Sequence, residues 1–173
     1  LSGANLAWAH LHDANLERAN LEEARLGGAD LSGVDLSGVN LKGVNLREAT
    51  LSRANLEGTN LSGADLSGVG FRQANLKGAN LSGADLSGAD FYQVDLSGAE
   101  MGDTNLSKAK FPEADLRWAD LRRADLRGAY FSRATLRGTN LAGARVGKVG
   151  PRTRGTRWPP GFDSVAAGVI AEE

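Results

Sequence analysis

The chain repeats one five-residue unit in unbroken register from Leu1 to about Arg145. The stretch 79–90 shows it plainly, reading ANLSGADLSGAD. Leucine, phenylalanine or methionine occupies every fifth position through Leu141, and alanine, valine or threonine stands two positions before each. Because an internal repeat this regular overrides local propensity, it is the first constraint on the fold.

A period of five fits neither a helix nor a continuous strand. In an α-helix, residues five apart are rotated by about 140° from one another, and in a β-strand they point to opposite faces. Neither element would therefore place the large apolar residues on one face. The chain must therefore turn a corner in every unit, with the large and small residues inward and the Asn or Asp between them outward. Glycine at the second turn position, as at Gly83, supplies the positive φ of a type II turn. Where a larger residue replaces this glycine, the sequence predicts a different turn; the examples are Arg18, Glu48, Gln93, Lys108 and Trp118.

The spacing of the phenylalanines gives the number of units in a coil. Phenylalanines recur at intervals of 20 residues from Phe71 to Phe131, so four units per coil stack them in one column. Residues 1–145 then form roughly seven coils and a rod about 35 Å long, at about 4.8 Å per coil. The core is predicted to include Leu61, Phe71, Leu81, Phe91, Phe111 and Phe131.

The units match the consensus A(D/N)LXX, and over about 29 consecutive units the chain resembles the pentapeptide-repeat family. The resemblance implies an all-β fold, a right-handed four-sided parallel β-helix. The segment 156–163, TRWPPGFD, resembles a C-terminal segment that follows the repeats in many bacterial, notably cyanobacterial, members. Some members bind DNA gyrase as mimics of duplex DNA and protect it from quinolones, whereas others have no known biochemical role.

The sequence divides into a solenoid over residues 1–150 and a C-terminal tail over 151–173, with a short helix at 164–172. Trp158 and Phe162 are the expected lids of the last coil, because an open solenoid end exposes apolar side chains and unpaired backbone. The N-terminal end carries no cap of its own. Missing residues or a second subunit would cover it, so a homodimer through a solenoid end is one expectation.

No set of residues predicts catalysis, a cofactor or a metal site. His10, His12 and Asp13 lie close together in sequence, but they flank an inward leucine and are predicted to face solvent without a further strong ligand. No histidine or lysine recurs beside the turn serines to activate one as a nucleophile. Asn20, Asn40, Asn60 and Asn80 recur at intervals of 20 and predict an outward column that serves either as an amide ladder or only as a polar edge to the coils.

Charge is balanced overall but changes along the chain. Twenty Lys and Arg residues oppose 21 Asp and Glu residues, which does not favour direct binding of nucleic acid. The C-terminal coils are basic, and the candidate interaction surface comprises Arg117, Arg122, Arg123, Arg127, Arg133 and Arg137. Because these arginines fall on several sides of the square, the sequence favours ordinary solvated turn positions over a binding stripe.

The function predicted from these features is a non-catalytic scaffold that binds a protein partner. The alternative is a gyrase-binding DNA mimic, which the basic C-terminal coils disfavour because mimicry needs a continuous negative surface. An enzyme, a small-molecule substrate, a cofactor and membrane association are not expected. No cysteine is present, which leaves the redox compartment open, and no apolar run approaches the roughly 20 residues of a membrane span. A cytoplasmic protein is expected, with a removed N-terminal targeting segment as the alternative.

Overall fold

The protein is a four-sided parallel β-solenoid. The computed structural model describes residues 1–16, 19–147, 155–163, 167–168 and 170–171. From Arg25 to Asp125, each outward residue forms a parallel bridge with the residue 20 positions further along, as in Asp65 with Asp85 and Asp85 with Asn105. This offset of 20 confirms the four-sided coil predicted from the phenylalanine spacing.

Backbone hydrogen bonds between coils set the register. The N–H of the large residue donates to the coil ahead, as Leu86 does to the Asn105 carbonyl at 2.8 Å. The N–H of the second turn residue does the same, as Gly88 does to the Ser107 carbonyl at 2.9 Å. The N–H of the outward residue donates to the coil behind. Each unit is therefore fixed to both of its neighbours along the rod.

The bridges run without a gap from Arg25 to Arg145, but the first coil is attached less completely. Two of its sides bridge to the next coil, whereas among the described residues no bridge joins Asn15 to Asp35 or Asn20 to Asn40. An open depression lies between the two coils there. The first coil is therefore bridged to the second along two of its four sides.

Two layers of side chains fill the interior. The large layer includes the six predicted core residues, and all of them are fully buried: Leu61, Phe71, Leu81, Phe91, Phe111 and Phe131. The small layer holds alanine, valine or threonine, and the buried Thr59 hydroxyl donates to the Leu36 carbonyl at 2.8 Å. The tube is thus a packed core with no channel along the described coils.

The turns that lack glycine keep the glycine conformation, so the predicted change of turn geometry is wrong. The φ angles are 59° at Glu48, 54° at Gln93, 61° at Lys108 and 61° at Trp118, close to 67° at Gly83. Arg18 lies outside the described residues. Because the N–H at this position must reach the carbonyl of the next coil, the register imposes positive φ on any residue, at roughly 1–2 kcal/mol each.

The C-terminal tail continues the solenoid. Arg157 forms a parallel bridge with Tyr130, and Thr156 beside it occupies a small inward position. The tail also contributes a strand: β1 (Arg145–Val146) pairs in parallel with β2 (Ile170–Ala171). The predicted boundary at residue 150 lies outside the described residues.

The helix expected over 164–172 does not form in the part of that stretch that the structure describes. Ala167 and Gly168 form a turn and Ile170–Ala171 is a strand, while residues 164–166, 169 and 172 are not described. Pairing with β1 satisfies backbone groups that a solenoid end would otherwise leave open, and this outweighs the weak helix propensity of the segment.

Substitution of two glycines distinguishes the cost of a positive φ from the cost of steric crowding. An added Cβ meets nothing within 4 Å at either Gly83 or Gly70, but φ is +67° at Gly83 and is not positive at Gly70. We expect Gly83→Ala to lower the free energy of unfolding by about 1–2 kcal/mol. Gly70→Ala is the matched control and should raise it by up to about 1 kcal/mol through the unfolded chain. Urea denaturation of both variants checks this, and equal effects would contradict it.

The small inward layer has a fixed size. Ala84 is 1% exposed inside the tube, so Ala84→Leu should overpack it and lower the free energy of unfolding by about 1–3 kcal/mol. Lys77→Leu at an exposed turn position is the control and should change stability by less than about 0.5 kcal/mol. Thermal denaturation measures both, and an Ala84→Leu variant as stable as the parent would show that the interior is not filled.

Candidate interaction surface

The outward Asn and Asp residues mostly bind the turn of their own unit. In the typical case the side-chain oxygen accepts the N–H two residues later, as Asp85 does from Ser87 at 2.9 Å. At Asp30 the Ser32 hydroxyl donates as well, at 2.6 Å, and these hydrogen bonds lower the pKa of the Asp30 carboxyl. This class of outward residue thus serves the fold before it serves any ligand.

Of the two roles open for the Asn20–Asn80 column, the structure shows the polar edge, and an amide ladder forms on the neighbouring side. The oxygens of Asn20, Asn40, Asn60 and Asn80 accept N–H groups of their own turns. On the neighbouring side, the Asn75 amide donates to Asn55, and the Asn55 amide donates to Asp35, both at 3.2 Å. A second ladder runs along one corner through Arg53, Gln73, Gln93, Glu113 and Arg133.

Three of the candidate arginines are held by the aspartate of their own unit. Arg117, Arg122 and Arg127 each place two guanidinium nitrogens on the carboxylate two residues before, with N···O distances of 2.5–2.9 Å. The arginine is the largest cause of the lowered carboxyl pKa in each pair: Asp115, Asp120 and Asp125. These units carry little net charge at their surface.

The remaining candidate arginines differ in their contacts. Arg123 forms an ion pair with Asp103 one coil behind and lowers the pKa of that carboxyl. Arg133 lies 3.5 Å from Glu113 and its side chain is 80% exposed. Arg137 has no carboxylate within ion-pair distance among the described residues. The structure therefore does not assemble the six arginines into one surface.

Asp125 is the most buried charge of the described coils. The residue is 6% exposed, and its carboxylate contacts Arg127 of its own unit and Arg145 of the next coil. A carboxylate removed from water is stabilised by such paired cations, and this explains its lowered pKa.

Cations without a carboxylate partner collect on another side, which we call the Lys110 face. It comprises Lys108, Lys110, Tyr130 and Arg157. Lys110, Tyr130 and Arg157 are successive bridge partners along the rod, and Lys108 belongs to the unit of Lys110. Among the described residues, no carboxylate lies within ion-pair distance of these three cations. This face could not be read from the positions of the arginines, because the pairing of each cation with a carboxylate decides which charges remain available.

The inward phenylalanines and two aromatic residues of the tail form one continuous column. Ring centroids lie 4.6–5.2 Å apart from Phe71 through Phe131, and Trp158 then stacks on Phe131 at 5.0 Å. Phe162 lies on Trp158 at 4.8 Å. The structure thus places the two candidate capping residues, one on the other, over the last phenylalanine.

Two tryptophans lie on the outside of turns. Trp8 and Trp118 are 70% and 67% exposed, and each ring covers the glycine one coil ahead, Gly28 and Gly138. Trp8 lies on the same corner of the coil as Lys108 but five coils before it, and Trp118 lies ten residues after Lys108 at another corner, so neither ring joins the Lys110 face.

The N-terminal histidines remain at the surface. His10 and His12 are exposed, and Asp13 lies against Gly33 of the next coil. Across the described ranges, no three His, Cys, Asp or Glu side chains meet in an arrangement suited to a metal ion. The same residues include no helix with the length and apolar character needed to cross a bilayer.

The sequence matches family models along most of its length. The model described as "Pentapeptide repeats" matches residues 1–38 and 35–78, with eight copies, and the model "Pentapeptide repeat region" matches residues 64–141. No curated protein matches the chain.

Solved structures of similar proteins come partly from cyanobacteria. HetL of Nostoc sp. strain PCC 7120, involved in heterocyst differentiation regulation, is 34% identical over 84% of this chain and 71% of its own, with a TM-score of 0.41. Rfr23 of Cyanothece 51142 is 30% identical over 65% and 83%, with a TM-score of 0.41. QnrB1, a plasmid-mediated fluoroquinolone resistance protein, is 16% identical over 100% and 91%, with a TM-score of 0.43.

The ion pairs of Asp125 with Arg127 and Arg145 predict that the free energy of unfolding depends on pH. A carboxyl whose pKa is lowered by folding stabilises the fold above its unfolded value, about 3.9, and this stabilisation is lost as pH falls through the folded value. Asp125→Asn should lower the free energy of unfolding at pH 7 by roughly 1.5–3 kcal/mol and flatten its decline below about pH 4. Urea denaturation at pH 7 and pH 3 measures this. A parallel shift at both pH values would contradict it.

The aromatic column predicts a role for its last rings. Trp158→Ala removes the contact between Phe131 and Phe162 and should lower the free energy of unfolding by roughly 3 kcal/mol. Trp158→Phe keeps a stacked ring and should retain more than half of that stability. Hydrogen exchange of the Phe131 unit follows the opening of the last coil, and unchanged protection in Trp158→Ala would contradict a capping role.

Proposed function

Because this chain belongs to the pentapeptide-repeat family, whose fold is a right-handed four-sided β-helix, we propose that it is a non-catalytic scaffold that binds a protein partner. Proteins of this family are generally structural or interaction modules. The cytoplasm is the location that we propose for it.

The packing of the solenoid carries the proposal. One large and one small side chain per unit fill the interior, so the variable residues are confined to the outward and turn positions. Bridges at every unit from Arg25 to Arg145 hold those positions in fixed relation. A stiff rod that varies only on its surface can present side chains to a partner at a low entropic cost.

A gyrase-binding DNA mimic is the second candidate, and the surface charge disfavours it. Residues 1–100 carry 13 acidic and 7 basic side chains, whereas residues 101–173 carry 8 and 13. A mimic of duplex DNA needs negative charge along its length, because DNA carries one charge per about 1.7 Å of axis. We expect no inhibition of gyrase supercoiling and no protection from a quinolone at micromolar protein; either effect would favour the mimic.

Affinity capture from the source cell tests the scaffold directly. The bait is the whole chain, and the control is a variant that keeps every interior residue but carries Asn, Ser and Gly at the outward and turn positions. We expect a partner that saturates the native bait and is lost from the control. Equal recovery on both baits, or no saturable partner on the native one, would contradict the proposal.

A further inference from the structure

The Lys110 face differs from the other basic regions in that its charges are available. Arg117, Arg122 and Arg127 are each held by a carboxylate of the same unit, at 2.5 Å in the closest contact. Lys108 and Lys110 are exposed and have no such partner among the described residues. Among the described residues, three cations without a carboxylate partner are therefore grouped on this side: Lys108, Lys110 and Arg157.

The backbone fixes the spacing of the face. Tyr130 bridges to Lys110 on one side and to Arg157 on the other, and Phe131 and Trp158 stack directly beneath. Rungs of a parallel sheet lie about 4.8 Å apart, so Lys110 and Arg157 are separated by roughly 10 Å along the rod. Side chains on the same face of an extended peptide are two residues, about 6.6 Å, apart, and the long, flexible Lys and Arg side chains can close the difference.

Tyr130 lies between the two cations and is 39% exposed. A partly exposed tyrosine offers a ring for apolar contact and a hydroxyl for a hydrogen bond, and tyrosine and arginine are enriched among the residues that dominate binding energy. The face thus offers an apolar centre between two charged ends.

Carboxylates limit the extent of the face. Asp90 is the bridge partner that precedes Lys110, and Glu113 lies at the adjoining corner, where Gln93 and Arg133 contact it. A nucleic-acid backbone carries charge continuously, and beyond the cations it would meet carboxylates that are already paired with Arg72 and Arg133, so it would gain no further attraction there. A short acidic segment can end before them, so the face suits a peptide better than a polynucleotide.

We propose that the Lys110 face binds an extended acidic segment of a protein partner, with carboxylates on Lys110 and Arg157 and the chain crossing Tyr130. This inference rests on the proposed scaffold function and names the surface and the chemistry of the partner. Lys108 adds attraction at the edge of the face, where charge mainly speeds association.

A labelled hexaglutamate peptide is the probe, and fluorescence anisotropy at low and physiological salt is the measurement. We expect binding that weakens with salt. Lys110→Glu with Arg157→Glu should weaken it about tenfold or more, since two attractive contacts become repulsive. Lys42→Glu with Lys77→Glu makes the same change of charge on other sides and should alter binding less than about twofold. Circular dichroism checks the fold, and Lys110→Ala with Arg157→Ala replaces the first variant if it misfolds.

The remaining outcomes count against the inference. Absence of salt-dependent binding, or equal losses in the two double variants, would overturn the assignment of the face. Tighter binding of a labelled hexathymidylate than of hexaglutamate would assign it to nucleic acid instead. If a partner captured by the native chain still binds the Lys110→Glu, Arg157→Glu variant, the scaffold function is supported and the assignment of this face is wrong. If the native chain captures no partner, the proposed function itself is wrong.

Discussion

Backbone hydrogen bonding between successive 20-residue coils is the interaction on which the rest of the molecule depends. It brings equivalent units of neighbouring coils into contact, as in the successive bridges of Asp65, Asp85 and Asn105. The repeat of 20 stacks like on like, so phenylalanines meet phenylalanines and a small layer lies beside a large one. A residue of the wrong size therefore disturbs its own coil and the two that adjoin it.

The same register explains the strained turns and the neutralised arginines. Lys108 and Trp118 adopt positive φ because their backbone N–H groups must donate to the backbone carbonyls of Arg127 and Arg137, at N···O distances of 2.9 and 3.1 Å. Repeated coil contacts over-determine each turn, and they hold conformations that an isolated turn would avoid. An arginine two residues after an outward aspartate falls within reach of it, so a region basic in sequence presents little free charge. The charges available to a partner are those that this pairing within a unit does not neutralise.

The four-sided coil and its core could be predicted because Phe71 to Phe131 and the small residues report the period directly. The turn conformation could not, since it follows from hydrogen bonds between coils and not from the local sequence. The pairing of Arg117 with Asp115 was readable from their two-residue spacing, but a count of arginines by side overlooked it. The expected helix overlooked the strand at Ile170–Ala171, and the continuation of the pattern in the unit Thr156–Trp158, a small, a polar and a large residue, is hidden by the residues that precede it.

The most direct test of the 20-residue coil compares a chain that lacks one whole coil with a chain that lacks one five-residue unit. Removal of residues 81–100 takes out a whole coil and leaves Phe71 in line with Phe111, whereas removal of residues 96–100 shifts every later unit by one side and splits the aromatic column. Urea denaturation compares the two. We expect the variant that lacks 20 residues to unfold cooperatively and to remain stable. The variant that lacks five residues should be clearly less stable, although it loses fewer contacts. A five-residue deletion as stable as the 20-residue one would contradict the coil as the unit of this structure.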